Sequence, residues 1–165
     1  QTEKIINENK LNVEIANDNS PMQVVISGKI DELENSKNFF VKEGAKKFIL
    51  LNVSAAFHSN LMNDAQNSLK KFIDNVKFNN SNISIISNYS GCLTKNKDNI
   101  IDNLNNQMSN RVRWVESIRS LEKTKEKRII EIGPGKILSG LIKRISNTFI
   151  IENIETISDI KKIYE

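Results

Sequence analysis

Lys47-Phe48-Ile49-Leu50-Leu51-Asn52-Val53-Ser54-Ala55-Ala56-Phe57-His58-Ser59-Asn60-Leu61-Met62 joins two kinds of hydrophobic periodicity. The apolar run Phe48 to Val53 predicts a strand. Leu61, Ala65, Leu69, Phe72, Ile73 and Val76 then recur at i, i+4 and i+7 spacing and predict an amphipathic helix. His58, the only histidine of the chain, falls where strand hands over to helix. A histidine held at such a junction is well placed for proton transfer. No Gly-x-Ser-x-Gly nucleophile turn is present, so a group activated by His58 has to come from elsewhere.

Upstream, Leu11 to Ile15 reads as a short strand, and Asn17-Asp18-Asn19-Ser20-Pro21 is a dense turn signal. Gln23 to Ser27 reads as a second strand ended by Gly28. A helix face runs from about Lys29 to Lys42, stopped by Glu43-Gly44-Ala45. Thr2 to Asn9 looks like the middle of a helix, which together with the absent initiator Met suggests a fragment. Helix, strand, strand, helix, strand is most of a ferredoxin-like unit whose first strand is missing.

Downstream, Ser81 to Ser87 predicts a strand and Asn88 to Asn96 a polar loop. Ile100, Ile101, Leu104 and Met108 line one helix, and Trp114, Ile118 and Leu121 another. Arg128 to Ile132 is a buried strand broken by Gly133-Pro134-Gly135. Ile137, Leu138, Leu141, Ile142 and Ile145 build the next helix, Phe149 to Ile151 a last strand, and a polar tail helix runs to Glu165. Alternating strands and helices predict an α/β layer architecture with a mainly parallel sheet.

At 165 residues the chain suits one domain or two small ones. A net charge of +4 comes from scattered basic residues, so nucleic acid is not implied. Seven Phe, two Tyr and one Trp, with the Phe mostly on core faces, leave no aromatic and basic strand surface for RNA. Cys92 is the only cysteine, which excludes an internal disulfide. No apolar run reaches membrane-spanning length, and no signal peptide opens the chain. These features predict a reduced, soluble, cytoplasmic protein with no membrane partner. No cluster has metal-ligand spacing. Gly133-Pro134-Gly135-Lys136 fails the P-loop pattern, with Ile130 where the first Gly belongs and Ile137 in place of Ser or Thr. It reads as a tight strand-to-helix turn.

Five segments together resemble one family, the malonyl-CoA:acyl carrier protein transacylases. They are Asn17 to Gly28, Gly44-Ala45-Lys46, Ala56-Phe57-His58-Ser59-Asn60-Leu61-Met62, Gln107 to Ser117, and Glu131 to Arg144. The resemblance implies a ferredoxin-like small subdomain, residues 1–54 with its first strand missing. Residues 55–165 would be the C-terminal portion of an α/β-hydrolase-like acyltransferase domain. It also implies that the nucleophilic serine and the carboxylate-binding arginine lie outside this chain, leaving the chain alone inactive.

By the same resemblance His58 is the catalytic base. A backbone carbonyl near Gln107 orients its ring, and Phe57 and Gln107 belong to the substrate-binding region. Phe57 crowds the acyl α-carbon and so favours malonyl over methylmalonyl, unless it is simply a core residue. Lys136, Lys143 and Arg144 fall on or near one helix and could steer an acidic carrier protein, or could be an ordinary solvated face. The implied partners are malonyl-CoA and acyl carrier protein. Coenzyme A enters as a thioester substrate, and no cofactor is implied. Met22 replaces a commonly small residue, and Asn60 a frequent Pro after His-Ser. A rival reading is a non-catalytic carrier-protein docking module, and another is an acyltransferase segment of a polyketide synthase.

Overall fold

The computed structural model describes residues 1–164. The chain starts with helix α1 (Thr2–Glu8) and the antiparallel hairpin of β1 (Glu14–Ser20) and β2 (Gln23–Ser27). Helix α2 (Ile30–Lys42) follows. Asp31 and Glu32 lie in its first turn and Lys42 in its last, each on the favourable end of the helix dipole. Gly44, at φ 94°, ends the helix: its N–H donates to the Val41 carbonyl at 3.0 Å and that of Ala45 to Phe40 at 2.9 Å.

The second part contains a short 3-10 turn (Asn60–Met62) and helix α3 (Asn63–Ile73). A minimal antiparallel pair, β3 (Ile85–Ile86) with β4 (Leu93–Thr94), leads into α4 (Lys97–Asn106) and α5 (Trp114–Glu122). Asn96 caps α4, its Oδ1 accepting from the Asp98 and Asn99 amides at 2.8 and 3.1 Å. Then come β5 (Arg128–Ile132), α6 (Ile137–Ile145), β6 (Ile150–Ile154) and α7 (Ile157–Tyr164). Glu165, the end of the expected tail helix, lies outside the described residues. Strands and helices alternate in an α/β arrangement, and among the described residues the parallel pairing is confined to β5 and β6. No helix among the described residues is long and apolar enough to cross a membrane.

Several expectations are corrected, the mainly parallel sheet among them, since β1–β2 and β3–β4 are antiparallel. Asn17 to Ser20 belong to β1, and the turn shrinks to Pro21-Met22. The reason is bonding on both sides. Beyond its pairing with β2, β1 receives Val112: the Asp18 amide donates to the Val112 carbonyl at 3.0 Å, and the Val112 amide to Ala16 at 2.8 Å. Phe48 to Val53 forms no strand, because no neighbouring strand among the described residues takes up its backbone groups. Its Ile49, Leu50, Leu51 and Val53 are 45–70% exposed. Of Ser81 to Ser87 only Ile85 and Ile86 pair, with a segment expected to be loop, while the last strand runs later than expected, over Ile150–Ile154.

A core forms where α5 and α6 meet the parallel pair. Ile118, Ile142 and Ile145 are buried there, with Trp114, Ile129, Phe149 and Ile151 packed against them. In a parallel pair, opposed residues share a face. Ile129 and Ile151 therefore look toward this core, while Ile130, Ile132 and Ile150 lie on the other face and are exposed. Parallel sheets are normally covered on both faces, so this pair is a half-dressed layer. The apolar stripe of α3 is similarly bare at Phe72 and Leu69.

The hairpin is tied to the second part across residue 54. β1 packs on α5 and α6, the Glu14 carboxylate accepts from the Asn60 amide at 3.1 Å, and Arg144 Nη1 donates to Gln23 Oε1 at 3.0 Å.

Candidate active site

His58 has a backbone that histidine rarely adopts, with φ at 60°. Left-handed geometry costs a non-glycine residue on the order of 1–2 kcal/mol, so neighbouring contacts have to hold it. They are present on each side. The His58 amide donates to the Met108 carbonyl at 3.0 Å. Ser59, buried, donates its hydroxyl to the Ala56 carbonyl at 2.7 Å, and its own carbonyl receives the Met62 amide at 3.0 Å. The strained residue therefore sits between two anchored turns.

The imidazole is half-buried, and its Nδ1 lies 3.0 Å from the Gln107 carbonyl and 3.1 Å from that of Asn110. A carbonyl oxygen only accepts, so Nδ1 carries the hydrogen and shares it between the two. In the neutral ring Nε2 then carries the lone pair, the form a general base requires. Two neutral carbonyls are enough to fix this tautomer.

The carbonyls come from the turn between α4 and Val112. Asn110 stiffens it by donating Nδ2 to the Asn106 carbonyl at 2.9 Å and to Ser109 Oγ at 3.3 Å. The Val112 pairing with β1 and the donation of the Arg113 amide to the Asn88 carbonyl at 2.8 Å fix its far end. Beside this seam, burial raises the Asp18 carboxyl above its ordinary value, and the Arg111 guanidinium pulls it partly back.

No family model matches the chain. Individual relatives do. The malonyl CoA-acyl carrier protein transacylase of Bacillus subtilis (strain 168) is 38% identical over 159 residues, spanning 94% of this chain and 50% of that protein. The polyketide biosynthesis protein PksE of the same organism is 41% identical over 149 residues, spanning 89% of this chain and 19% of that protein. The crystal structure of the malonyl CoA-acyl carrier protein transacylase from Clostridium perfringens superposes with a TM-score of 0.90 at 34% identity, covering 99% of this chain and 52% of that one. The chain is similar to malonyl-CoA:acyl carrier protein transacylases. It spans about half the length of those it matches.

Within this transacylase-like chain the expected residues are placed unequally. His58 and Gln107 come together, Gln107 through its backbone carbonyl. Phe57 is 48% exposed, which corrects the alternative that it is a core residue. Lys136 precedes α6, whereas Lys143 and Arg144 lie in its last turn, about 10 Å further along at 1.5 Å per residue. All three are exposed, and Arg144 is engaged with Gln23. They form a spread-out face of α6 rather than a cluster.

The Gly133-Pro134-Gly135 turn has its glycines at φ 137° and 84°, values that L side chains resist. Across it Glu131 acts as a latch. Its carboxylate accepts from the Leu138 amide at 3.0 Å, from the Ser139 amide at 2.8 Å, from the Ser139 hydroxyl, and from Asn153 Nδ2 at 2.9 Å. Sequence reading missed Glu131, Glu14 and Gln66, whose Oε1 accepts from the Ser109 amide, as individual contributors. Glu131 had a visible signal, an acid facing a glycine turn and a helix start. The other two had none, because their partners are backbone amides far along the chain.

Proposed function

We propose that this chain supplies the base-bearing part of a malonyl-CoA:acyl carrier protein transacylase. The enzyme moves a malonyl group from malonyl-CoA to the phosphopantetheine thiol of acyl carrier protein through an acyl-serine. The observation carrying this reading is the His58 ring, with Nδ1 fixed on the Gln107 and Asn110 carbonyls and Nε2 free. The similarity over half a transacylase is consistent with it. The serine belongs to a nucleophile-bearing part outside this chain.

The chemistry follows from the free Nε2. A serine hydroxyl is a weak nucleophile until a base takes its proton. Nε2 takes that proton as the serine oxygen attacks the thioester carbonyl. Collapse of the tetrahedral adduct breaks the carbon–sulfur bond, and the imidazolium returns the proton to the departing coenzyme A sulfur. In the second half the carrier thiol gives its proton to Nε2, and its sulfur attacks the ester. The carbon–oxygen bond breaks and the serine oxygen is reprotonated. The imidazolium formed in each half is stabilised by the two carbonyl dipoles at Nδ1.

Phe57 precedes the base and presents its ring to the acyl chain. A phenyl beside the α-carbon disfavours an added methyl, and one methyl is worth roughly 1–3 kcal/mol of discrimination. Lys136, Lys143 and Arg144 offer positive charge to an acidic carrier. Coenzyme A is substrate in this scheme, no resident cofactor takes part, and the setting is fatty acid biosynthesis in the cytoplasm. The 41% identity to PksE favours a second setting for the same chemistry, a polyketide pathway.

The test is transfer itself. The complete protein carrying this chain, incubated with malonyl-CoA and holo-acyl carrier protein, should yield carrier heavier by one malonyl group. Carrier binding without transfer would instead support a docking module.

A further inference from the structure

We infer that Gln66 is a positioning residue for His58, an inference that rests on the proposed role of His58 as base. Gln66 lies on α3, eight residues after the histidine in the sequence. Its Oε1 accepts from the Ser109 amide at 3.0 Å. Ser109 is 7% exposed, so solvent offers that amide little alternative.

The significance lies in which peptide group is held. The Ser109 N–H and the Met108 C=O belong to the same planar unit and point in opposite directions. The Met108 carbonyl accepts from the His58 amide at 3.0 Å. One peptide plane is therefore gripped from both sides, by the His58 backbone on its carbonyl edge and by the Gln66 side chain on its amide edge. Its orientation fixes the neighbouring Gln107 and Asn110 carbonyls that share the imidazole hydrogen. Gln66 carbonyl, Ser109 amide, Met108 carbonyl and His58 amide form a continuous chain in which each bond polarises the next.

The placement of Gln66 on α3 fits this role. Met62, Gln66 and Ile73 are the partly covered positions along that side, at near-helical spacing, while Leu69 and Phe72 are exposed. α3 packs on α4, so the covered side is the one facing the α4 end of the turn. A polar amide here breaks the apolar pattern, and it meets a buried backbone donor. The segment 58–66 thus carries the base at one end and a clamp on the base's own support at the other.

Two variants test this. Gln66→Met keeps length and removes the acceptor, and Gln66→Glu keeps an acceptor at the same reach. In the complete protein, Gln66→Met should lower kcat for malonyl transfer by about 10-fold with little change in KM, since a misplaced base impairs chemistry rather than binding. Gln66→Glu should stay within about twofold of the parent. In the complete protein, 15N NMR of the ring signals that His58→Ala removes reads the His58 tautomer independently of turnover. The parent should show a protonated Nδ1 and a bare Nε2, Gln66→Met an averaged pair, and Gln66→Glu the parental pattern with the Ser109 amide proton shifted downfield.

A parental imidazole pattern and parental kcat in Gln66→Met would overturn the inference. If that variant does not fold, an unmoved Ser109 amide proton in Gln66→Glu overturns it instead. A parent that shows the tautomer but transfers no malonyl would sink the functional reading and leave the positioning role standing.

Discussion

Replacing Glu131 with Gln should loosen the start of α6. In the parent protein one carboxylate receives the Leu138 and Ser139 amides, the Ser139 hydroxyl and Asn153 Nδ2, and offers no hydrogen of its own. A glutamine supplies one accepting oxygen and turns an NH2 toward donors. With that oxygen on the Ser139 and Asn153 donors, the Leu138 amide loses its partner; turned the other way, the three donors of Ser139 and Asn153 lose theirs. Each charge-assisted bond contributes about 1.5–3 kcal/mol in buried settings, and loss of a helix cap about 1 kcal/mol. Glu131 is only partly buried, so solvent repairs part of the loss and the net expectation is about 1–2 kcal/mol.

The pH dependence gives a second handle on the same residue. Donation from the Ser139 hydroxyl, aided by the Ser139 and Leu138 amides and Asn153, holds the Glu131 carboxyl below its ordinary value of 4.5, against a smaller opposing effect of burial. A depressed carboxylate contributes stability that is present above its unfolded value and lost as pH falls through the folded one. The difference between parent and Gln variant should thus be full above about pH 4.5 and shrink on acidification. Urea unfolding of both proteins across that range measures it. Equal unfolding free energies at neutral pH, or a difference that grows in acid, would refute the latch.

Phe57→Ser in the complete protein should raise methylmalonyl transfer relative to malonyl, by about 10-fold or more for one relieved methyl contact; competition between the two thioesters, read by carrier mass, gives the ratio. Ile142 is 2% exposed at the centre of the α5–α6 core, and Ile142→Ala should cost about 2–5 kcal/mol in urea unfolding, with the far-ultraviolet spectrum of the folded state retained.

What the sequence made legible follows from where each signal originates. The α2, α5 and α6 helices were visible because their apolar periodicity and their end signals are local. The β5 strand and its glycine turn were visible for the same reason. Phe48 to Val53 reads as a strand by composition, yet a strand exists only through a neighbour, and none pairs with it among the described residues. Asn17 to Ser20 reads as a turn by composition, yet bonding to Val112 on one side and β2 on the other draws it into β1. His58 was legible as a lone histidine within a family-like motif. Its left-handed backbone and the Gln66 support were not, because they depend on a turn near residue 108.

The central claim is that Nε2 of His58 moves the protons of acyl transfer, and turnover by the complete protein carrying His58→Ala tests it most directly. The parent and variant are compared by initial rates of malonyl transfer to holo-acyl carrier protein, at saturating malonyl-CoA. The account predicts that kcat falls roughly 10²–10⁴-fold while unfolding stability stays close to that of the parent. A folded variant that transfers malonyl within about twofold of the parent rate would contradict it, and the base would have to be sought outside this chain.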